Sequence, residues 1–241
     1  MDLGYVMARS NIYGKTPIFL DFETNKAEHF YMGGFCLLDG TVEQYILDED
    51  LQGLGVAKEL PITTPIEFTR RLLEMASNKN GFIVGYSKAE QDYLNSIVDG
   101  LDIDSKHFEL VYLNLRKSAL KWVNRYKKAS FEALPPLRKG ANPFMKPTQK
   151  KSLASIMRLT DFLSPSDYAP GSTTKRFNDV RNALVKKGQK YENLTSVQKQ
   201  KGTKVLKHNC YDVEALPHLF KIIHATNERH LETATSLLFN K

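Results

Sequence analysis

The chain has 241 residues, 41% of them hydrophobic and 25% charged, with a formal net charge of +7; these values exclude a disordered, collagen-like or coiled-coil protein. No stretch approaches the roughly 18 consecutive apolar residues of a membrane-spanning helix, the N-terminus has no signal-peptide pattern, and two cysteines cannot build a disulfide framework or a four-cysteine zinc site. We therefore expect a single domain over residues 1–241 that works in the reducing cytoplasm, without a membrane partner.

The first half of the chain alternates strands and helices. Apolar runs bounded by turn residues predict five strands, at 17–24, 30–38, 42–47, 82–86 and 108–115. Three helices are predicted, from Pro65 to about residue 80, from Ser87 past Val98, and from the last strand to about Tyr126. An acidic loop is expected over 48–63. This order predicts an α/β fold with a mixed central sheet flanked by helices.

The second half is predicted to be helical, with breaks. Proline, glycine and lysine residues predict loops at 132–151 and 163–174, on either side of a helix at 153–162. Further helices are predicted from about residue 175 to the end. Three residues are expected to interrupt them: Gly188, Gly202 and Pro217.

Most of the positive charge lies in residues 121–207, which hold 20 Lys and Arg but 5 Asp and Glu, whereas the rest of the chain holds 14 and 22. Aromatic residues are interleaved with these bases, a pattern typical of single-stranded nucleic-acid binding by stacking and phosphate contacts. We expect Trp122 in the core, a basic loop-rich segment at about 127–151, and nucleic-acid contacts from lysines of 139–151 and 186–207. A lysine-rich solvated surface is the alternative.

Two carboxylates, Asp21 and Glu23, lie at the end of the first predicted strand. Residues two apart in a strand point to the same face, so both side chains project together. Adjacent carboxylates repel each other unless a cation lies between them, and their hard oxygens favour Mg²⁺ or Mn²⁺. The pattern predicts a metal site, and a strand-to-loop junction with exposed acids is the alternative.

A third acid follows the strand predicted at 82–86. Glu90 lies three residues after Ser87, so it is placed to join the metal site but also to close a capping box at the start of the helix. Capping alone would explain a glutamate at this position. Asp92 is a competing acid two residues further on.

A histidine and an aspartate lie four residues apart in the last helical region. His208 and Asp212 therefore share one face of a helix and can address one site. An imidazole can accept a proton near neutral pH, and a carboxylate can bind a metal. An ordinary surface pair of His208 and Asp212 is the alternative.

Four segments carry a family resemblance: IFLDFET at 18–24, VGYSKAEQDYL at 84–94, SLASIMRL at 152–159 and HNCYDVEAL at 208–216. Their order resembles that of the DEDD, or DnaQ-like, 3′–5′ exonucleases of the ribonuclease H-like superfamily. In detail the chain most resembles the predicted RNase H-like exonuclease branch associated with RecB-like nucleases. Tyr86 and Glu90 match the Tyr-x-x-x-Glu second motif of that branch.

The chain departs from the family pattern in two places. The usual GHNxxFD-type second motif is absent, which leaves Glu90, or Asp92, as the third acid, and His208 replaces that branch's tyrosine, as in the DEDDh subtype.

The resemblance implies a ribonuclease H-like fold and a metal-dependent nuclease that releases nucleoside 5′-monophosphates from single-stranded DNA or RNA. It implies two Mg²⁺ or Mn²⁺ ions, held by four acids, with His208 activating water. The implied metal ligands are Asp21, Glu23, Glu90 and Asp212. Work beside a helicase or another nuclease is also implied. A catalytically inactive module that only binds nucleic acid is the alternative, and the open choice of third acid favours it.

Overall fold

The computed structural model describes residues 15–25, 29–99, 112–135, 151–165 and 172–239. Three predicted features fall partly outside this part of the chain. These are the start of the strand at 108–115, the middle of the loop at 163–174, and most of the basic loop at 127–151, including its lysines from 139 to 150.

Within the described ranges, five strands form one mixed sheet, in the spatial order β3-β2-β1-β4-β5. The strands are β1 (Thr16–Thr24), β2 (Phe30–Cys36), β3 (Val42–Ile46), β4 (Gly81–Gly85) and β5 (Tyr112–Asn114). β1 pairs antiparallel with β2, which pairs antiparallel with β3, whereas β4 runs parallel to both β1 and β5. The α/β class and the flanked mixed sheet are therefore confirmed.

Eight α-helices accompany the sheet in the described residues. They are α1 (Gln52–Ala57), α2 (Pro65–Asn78), α3 (Lys88–Asp99), α4 (Leu115–Trp122), α5 (Lys128–Glu132), α6 (Leu153–Met157), α7 (Thr173–Lys186) and α8 (Ser196–Phe239). A π-helical stretch, Val123–Lys127, joins α4 to α5. The first residues of the loop-rich segment predicted at about 127–151 are therefore helical, as far as Glu132. The helix predicted at 153–162 begins as expected but ends at Met157. No helix among the described residues has the length and apolar character needed to cross a membrane.

The prediction of a loop at 48–63 is wrong, because this range contains a 3-10 helix, Glu49–Leu51, followed by α1. Leu51 and Leu54 are completely buried, so this segment contributes to the core. Gly53, which favoured a loop in the sequence, packs so tightly that a Cβ there would lie 2.2 Å from the carbonyl oxygen of Gln189. The glycine allows a close contact between two elements and does not break the helix.

The interruptions predicted at Gly202 and Pro217 are also wrong, because α8 continues through both residues. Gly202 is buried against Leu54, where a Cβ would approach a methyl carbon at 3.0 Å. Pro217 removes one backbone hydrogen bond, but Leu216 and Leu219 beside it are completely buried. Tertiary packing therefore outweighs the local helix-breaking preference. Only Gly188 coincides with a break, and its φ of +61° fits the end of α7.

The two faces of β1 are covered by different helices. Phe19 packs in a cluster that includes residues of α4 and α8. Leu20 and Phe22 pack on the opposite face, with residues of α2 and α3. Because side chains alternate along a strand, Asp21 and Glu23 lie on the Phe19 face, toward α8. The hydrophobic pattern of β1 thereby fixes the side on which its two acids project.

Candidate metal centre

The end of β1 meets α8 at a group of ionisable side chains. Nε2 of His208 lies 3.3 Å from Oδ2 of Asp212 and 3.8 Å from Oε1 of Glu23. The side chains of Glu23 and Asp212 are 12% and 13% exposed, and His208 is 8% exposed. The i,i+4 spacing places His208 and Asp212 on one face of α8, and the packing of α8 against β1 brings them to Glu23, which lies 185 positions before His208.

The donor atoms of this group fit a divalent cation. One ligand atom each from Glu23, His208 and Asp212 lies within 4.8 Å of the others. Oε1 of Glu23 is buried, and within the described part of the chain no hydrogen bond reaches it. A buried carboxylate oxygen that lacks a donor is costly, and a cation between the three groups would satisfy it. Carboxylate oxygens suit Mg²⁺ or Mn²⁺, and imidazole widens the choice to other transition metals.

Four acids share the electrostatics of this centre. Loss of solvent raises the pKa of Asp21 well above its usual value, and the charges of Asp212, Glu23 and Glu90 raise it further. The pKa of Glu23 is raised by loss of solvent and then by Asp212 and Glu90. Repulsion of this kind is what a bound cation relieves. Charge interactions therefore connect all four acids expected from the sequence, but among the described residues the group whose ligand atoms lie within 4.8 Å of one another holds Glu23, His208 and Asp212 and not Asp21 or Glu90.

This repulsion predicts how stability depends on pH without metal. Asp21 and Glu23 bind protons in the folded state at pH values where the unfolded chain has lost them, so the free energy of unfolding should fall as pH rises from about 4. His208, whose pKa is lowered on folding, offsets part of the fall up to about pH 6.5. Urea denaturation between pH 4 and 8 measures the slope, and Mg²⁺ or Mn²⁺ should flatten it. A slope that is identical in Asp21→Asn would contradict this origin.

Glu90 closes a helix cap as well as contributing charge to the centre. Its Oε2 accepts a hydrogen bond from the backbone N–H of Ser87 at 2.8 Å and another from Oγ of Ser87. Oγ of Ser87 in turn accepts from the backbone N–H of Ala89 at 3.1 Å. Glu90 therefore caps the helix through Oε2 alone, and its charge also acts on Asp21 and Glu23.

Asp92, the competing third acid, points elsewhere. It forms an i,i+4 ion pair with Lys88 at 2.8 Å, and the side chains of Asp92 and Lys88 are 53% and 77% exposed. Of these two acids, Glu90 is the one whose charge raises the pKa of Asp21 and Glu23, after loss of solvent and the charge of Asp212. Of the two acids, the geometry favours Glu90.

Two substitutions separate the roles of this cap. Glu90→Gln keeps an oxygen for the N–H of Ser87 but removes a charge that repels Asp21 and Glu23, so we expect a loss of metal-dependent activity of about 100-fold or more without a loss of stability. Ser87→Ala should do the opposite, lowering stability by about 1 kcal/mol while turnover stays within a few-fold of wild type. Thermal melts and initial cleavage rates of both variants test this. Normal cleavage by Glu90→Gln would leave Glu90 with capping alone.

Burial keeps His208 neutral. Loss of solvent, helped by the positive charge of Arg176, lowers the pKa of His208 from 6.5 to about 4. The imidazole is therefore unprotonated at pH 7 and able to accept a proton or to bind a metal. A nitrogen with so low a pKa is a weaker base than an ordinary imidazole, which limits its contribution to catalysis.

The first turn of α7 lies beside the same strand end. Oγ1 of Thr174 donates to the backbone oxygen of Thr24 at 3.3 Å, one residue after Glu23. Arg176, in that turn, is half-buried and is the cation whose charge reaches His208. Arg176 belongs to the basic segment 121–207, in which no specific role was predicted for it. Its spacing carries no motif, so only the docking of α7 onto β1 reveals its position.

Other residues of the basic segment 121–207 are either engaged within the chain or exposed to solvent. Trp122 is buried in the core, as expected, and Arg125 lies over the ring of Tyr126 at 5.4 Å. Lys187 and Lys201 are engaged within the chain, with the carbonyl of Asn193 and with Asp179 respectively. Several lysines of 186–207 remain exposed, including Lys186, Lys190 and Lys207. Among the described lysines of 186–207, some are therefore engaged within the chain and others are exposed to a ligand.

Comparisons with known proteins give no relative. Protein-family models, curated proteins and solved structures were each compared with the chain, and none matches it. The centre formed by β1, α3 and α8 is therefore interpreted from its own geometry and chemistry.

Proposed function

We propose that this protein is a metal-dependent nuclease with a ribonuclease H-like fold that hydrolyses phosphodiester bonds of DNA or RNA. The observation that carries the proposal is the convergence of Glu23, His208 and Asp212 within 4.8 Å, in the electrostatic field of two further acids. The mixed sheet flanked by helices is compatible with that fold. A DEDD-type 3′–5′ exonuclease that releases nucleoside 5′-monophosphates agrees best with the sequence motifs.

Each residue of the centre has a chemical role in this proposal. Two Mg²⁺ or Mn²⁺ ions would lower the pKa of the attacking water and neutralise charge on the scissile phosphate. Asp21, Glu23, Glu90 and Asp212 would hold these ions. His208, neutral at pH 7, would take the proton of the attacking water. Arg176, half-buried beside the centre, would attract the phosphate backbone of the substrate.

Product analysis tests the proposal directly. Single-stranded DNA and RNA oligonucleotides, labelled at the 5′ or the 3′ end, are incubated with the purified protein and Mg²⁺ or Mn²⁺. We expect mononucleotides from the 3′ end and no products in EDTA. Absence of metal-dependent products from all four substrates would overturn the proposal. Products of internal cleavage would keep the nuclease and exclude the exonuclease.

An inactive nucleic-acid-binding module is the second candidate. The engagement of Glu90 with Ser87 favours it, because a carboxylate committed to the cap offers less to a metal. In that case oligonucleotides would bind with a steep salt dependence through the basic residues, and Mg²⁺ would add neither cleavage nor stability. Titration with Mn²⁺ followed by thermal melting separates the two candidates.

A further inference from the structure

Asn209, next to His208 in α8, is completely buried, and both Nδ2 and Oδ1 of its amide form hydrogen bonds. Nδ2 donates to Oδ2 of Asp21 at 3.0 Å and lies 3.4 Å from the backbone oxygen of Asp21. Oδ1 accepts a hydrogen bond from Nε2 of Gln44 in β3 at 3.0 Å. The amide therefore links the metal-site acid on β1 to a strand at the edge of the sheet.

Gln44 determines which way the amide faces. Its Nε2 also donates to the backbone oxygen of Leu206 at 2.9 Å, which anchors the group to α8. An amide whose oxygen meets an N–H donor must turn its own NH₂ to the other side. Nδ2 of Asn209 is thereby directed at the carboxylate of Asp21, where it can act only as a donor.

A glycine makes this link possible. Gly34 in β2 is the cross-strand partner of both Asp21 and Gln44, so it lies between them in the sheet. A Cβ on Gly34 would come within 2.2 Å of Oδ1 of Asn209. The missing side chain leaves the space in which the amide crosses from β3 to β1.

We propose that Gln44 and Asn209 are positioning residues that orient Asp21 for cation binding. The inference rests on the metal-dependent function proposed above and extends it to residues that touch no reacting atom. The bond from Asn209 occupies Oδ2 of Asp21, which leaves Oδ1 for a cation. Outer contacts of this kind typically change metal affinity or activity by about 10–100-fold.

Gln44→Glu is the most informative substitution, because it preserves shape and removes the N–H donor that serves both Oδ1 of Asn209 and the backbone oxygen of Leu206. A glutamate at position 44 only accepts, so Asn209 should turn its Nδ2 toward it and present Oδ1 to the carboxylate of Asp21. We expect the Kd for Mn²⁺, measured by calorimetry, to rise about 10–100-fold. Gln52→Glu, which adds the same charge at an exposed position of α1, should leave this Kd unchanged.

A metal-free measurement completes the test. In Asp21→Asn, the new side-chain NH₂ can donate to Oδ1 of a turned Asn209. Gln44→Glu should therefore lower the melting temperature of Asp21→Asn by less than it lowers that of the wild type. If Gln44→Glu binds Mn²⁺ as wild type does and the melting temperatures are additive, this inference is overturned and the nuclease proposal stands. If wild-type protein binds no Mn²⁺, the proposed function falls and this inference falls with it.

Discussion

Asp21→Asn should remove metal-dependent cleavage while raising the stability of the metal-free protein. A metal supplies several kcal/mol of charge stabilisation to the transition state, so we expect turnover to fall by about a thousandfold or more. Stability should rise because loss of solvent, and then the charges of Asp212, Glu23 and Glu90, disfavour an ionised Asp21 and raise its pKa. Each kcal/mol relieved shifts the melting temperature by about 2–4 °C in a chain of this size. Asp212→Asn should have the same two effects.

Opposite changes in activity and stability distinguish a metal site from a structural one. Asp92→Asn is the matched control, since it removes the same charge from an exposed ion pair with Lys88. We expect this control to leave both turnover and melting temperature near wild type. Adding Mn²⁺ should stabilise the wild type and Asp92→Asn, but hardly Asp21→Asn. Near-normal turnover in Asp21→Asn or Asp212→Asn would refute the assignment of metal ligands.

The second large effect is expected at His208. A general base contributes typically 10²–10⁴-fold, and a pKa lowered to about 4 places the contribution of His208 at the lower end. His208→Gln, which retains a polar side chain, should therefore lower turnover by about 100-fold. Oligonucleotide affinity should stay near wild type. Turnover within a few-fold of wild type would mean that another group accepts the proton.

Metal affinity and the pH profile reveal which role His208 has. If it is the base, the Kd for Mn²⁺ changes little in His208→Gln, whereas loss of Mn²⁺ binding would make it a ligand beside Glu23 and Asp212. An ordinary imidazole predicts a rate that rises through about pH 6–7, but the lowered pKa moves that rise toward pH 4. His218→Gln, further along α8 and paired with Asp161, is the matched control and should be silent.

The sequence by itself predicted the five strands of the first half of the chain and three of its helices, though not α1. It also singled out the three residues whose ligand atoms meet within 4.8 Å, Glu23, His208 and Asp212. Alternation along 17–24 predicted that Asp21 and Glu23 share a face, and the i,i+4 spacing predicted the same for His208 and Asp212. These arguments hold because pleat and helical repeat are local geometry, which tertiary contacts seldom change. The activity, the metals and the nucleic-acid partner remain predictions, because a spacing specifies where side chains point but not what they bind.

Only the tertiary structure decided how those faces meet. Glycines that indicate a loop or a break in the sequence instead allow close packing, Gly53 against Gln189 and Gly202 against Leu54. The choice of Glu90 over Asp92 depends on which acid lies near Asp21, and no local pattern encodes that. The role of Asn209 depends on Gln44, 165 residues earlier, across a glycine in a third strand. Contacts between distant segments form only when the sheet and α8 pack together, so these features emerge from the fold and not from any single motif.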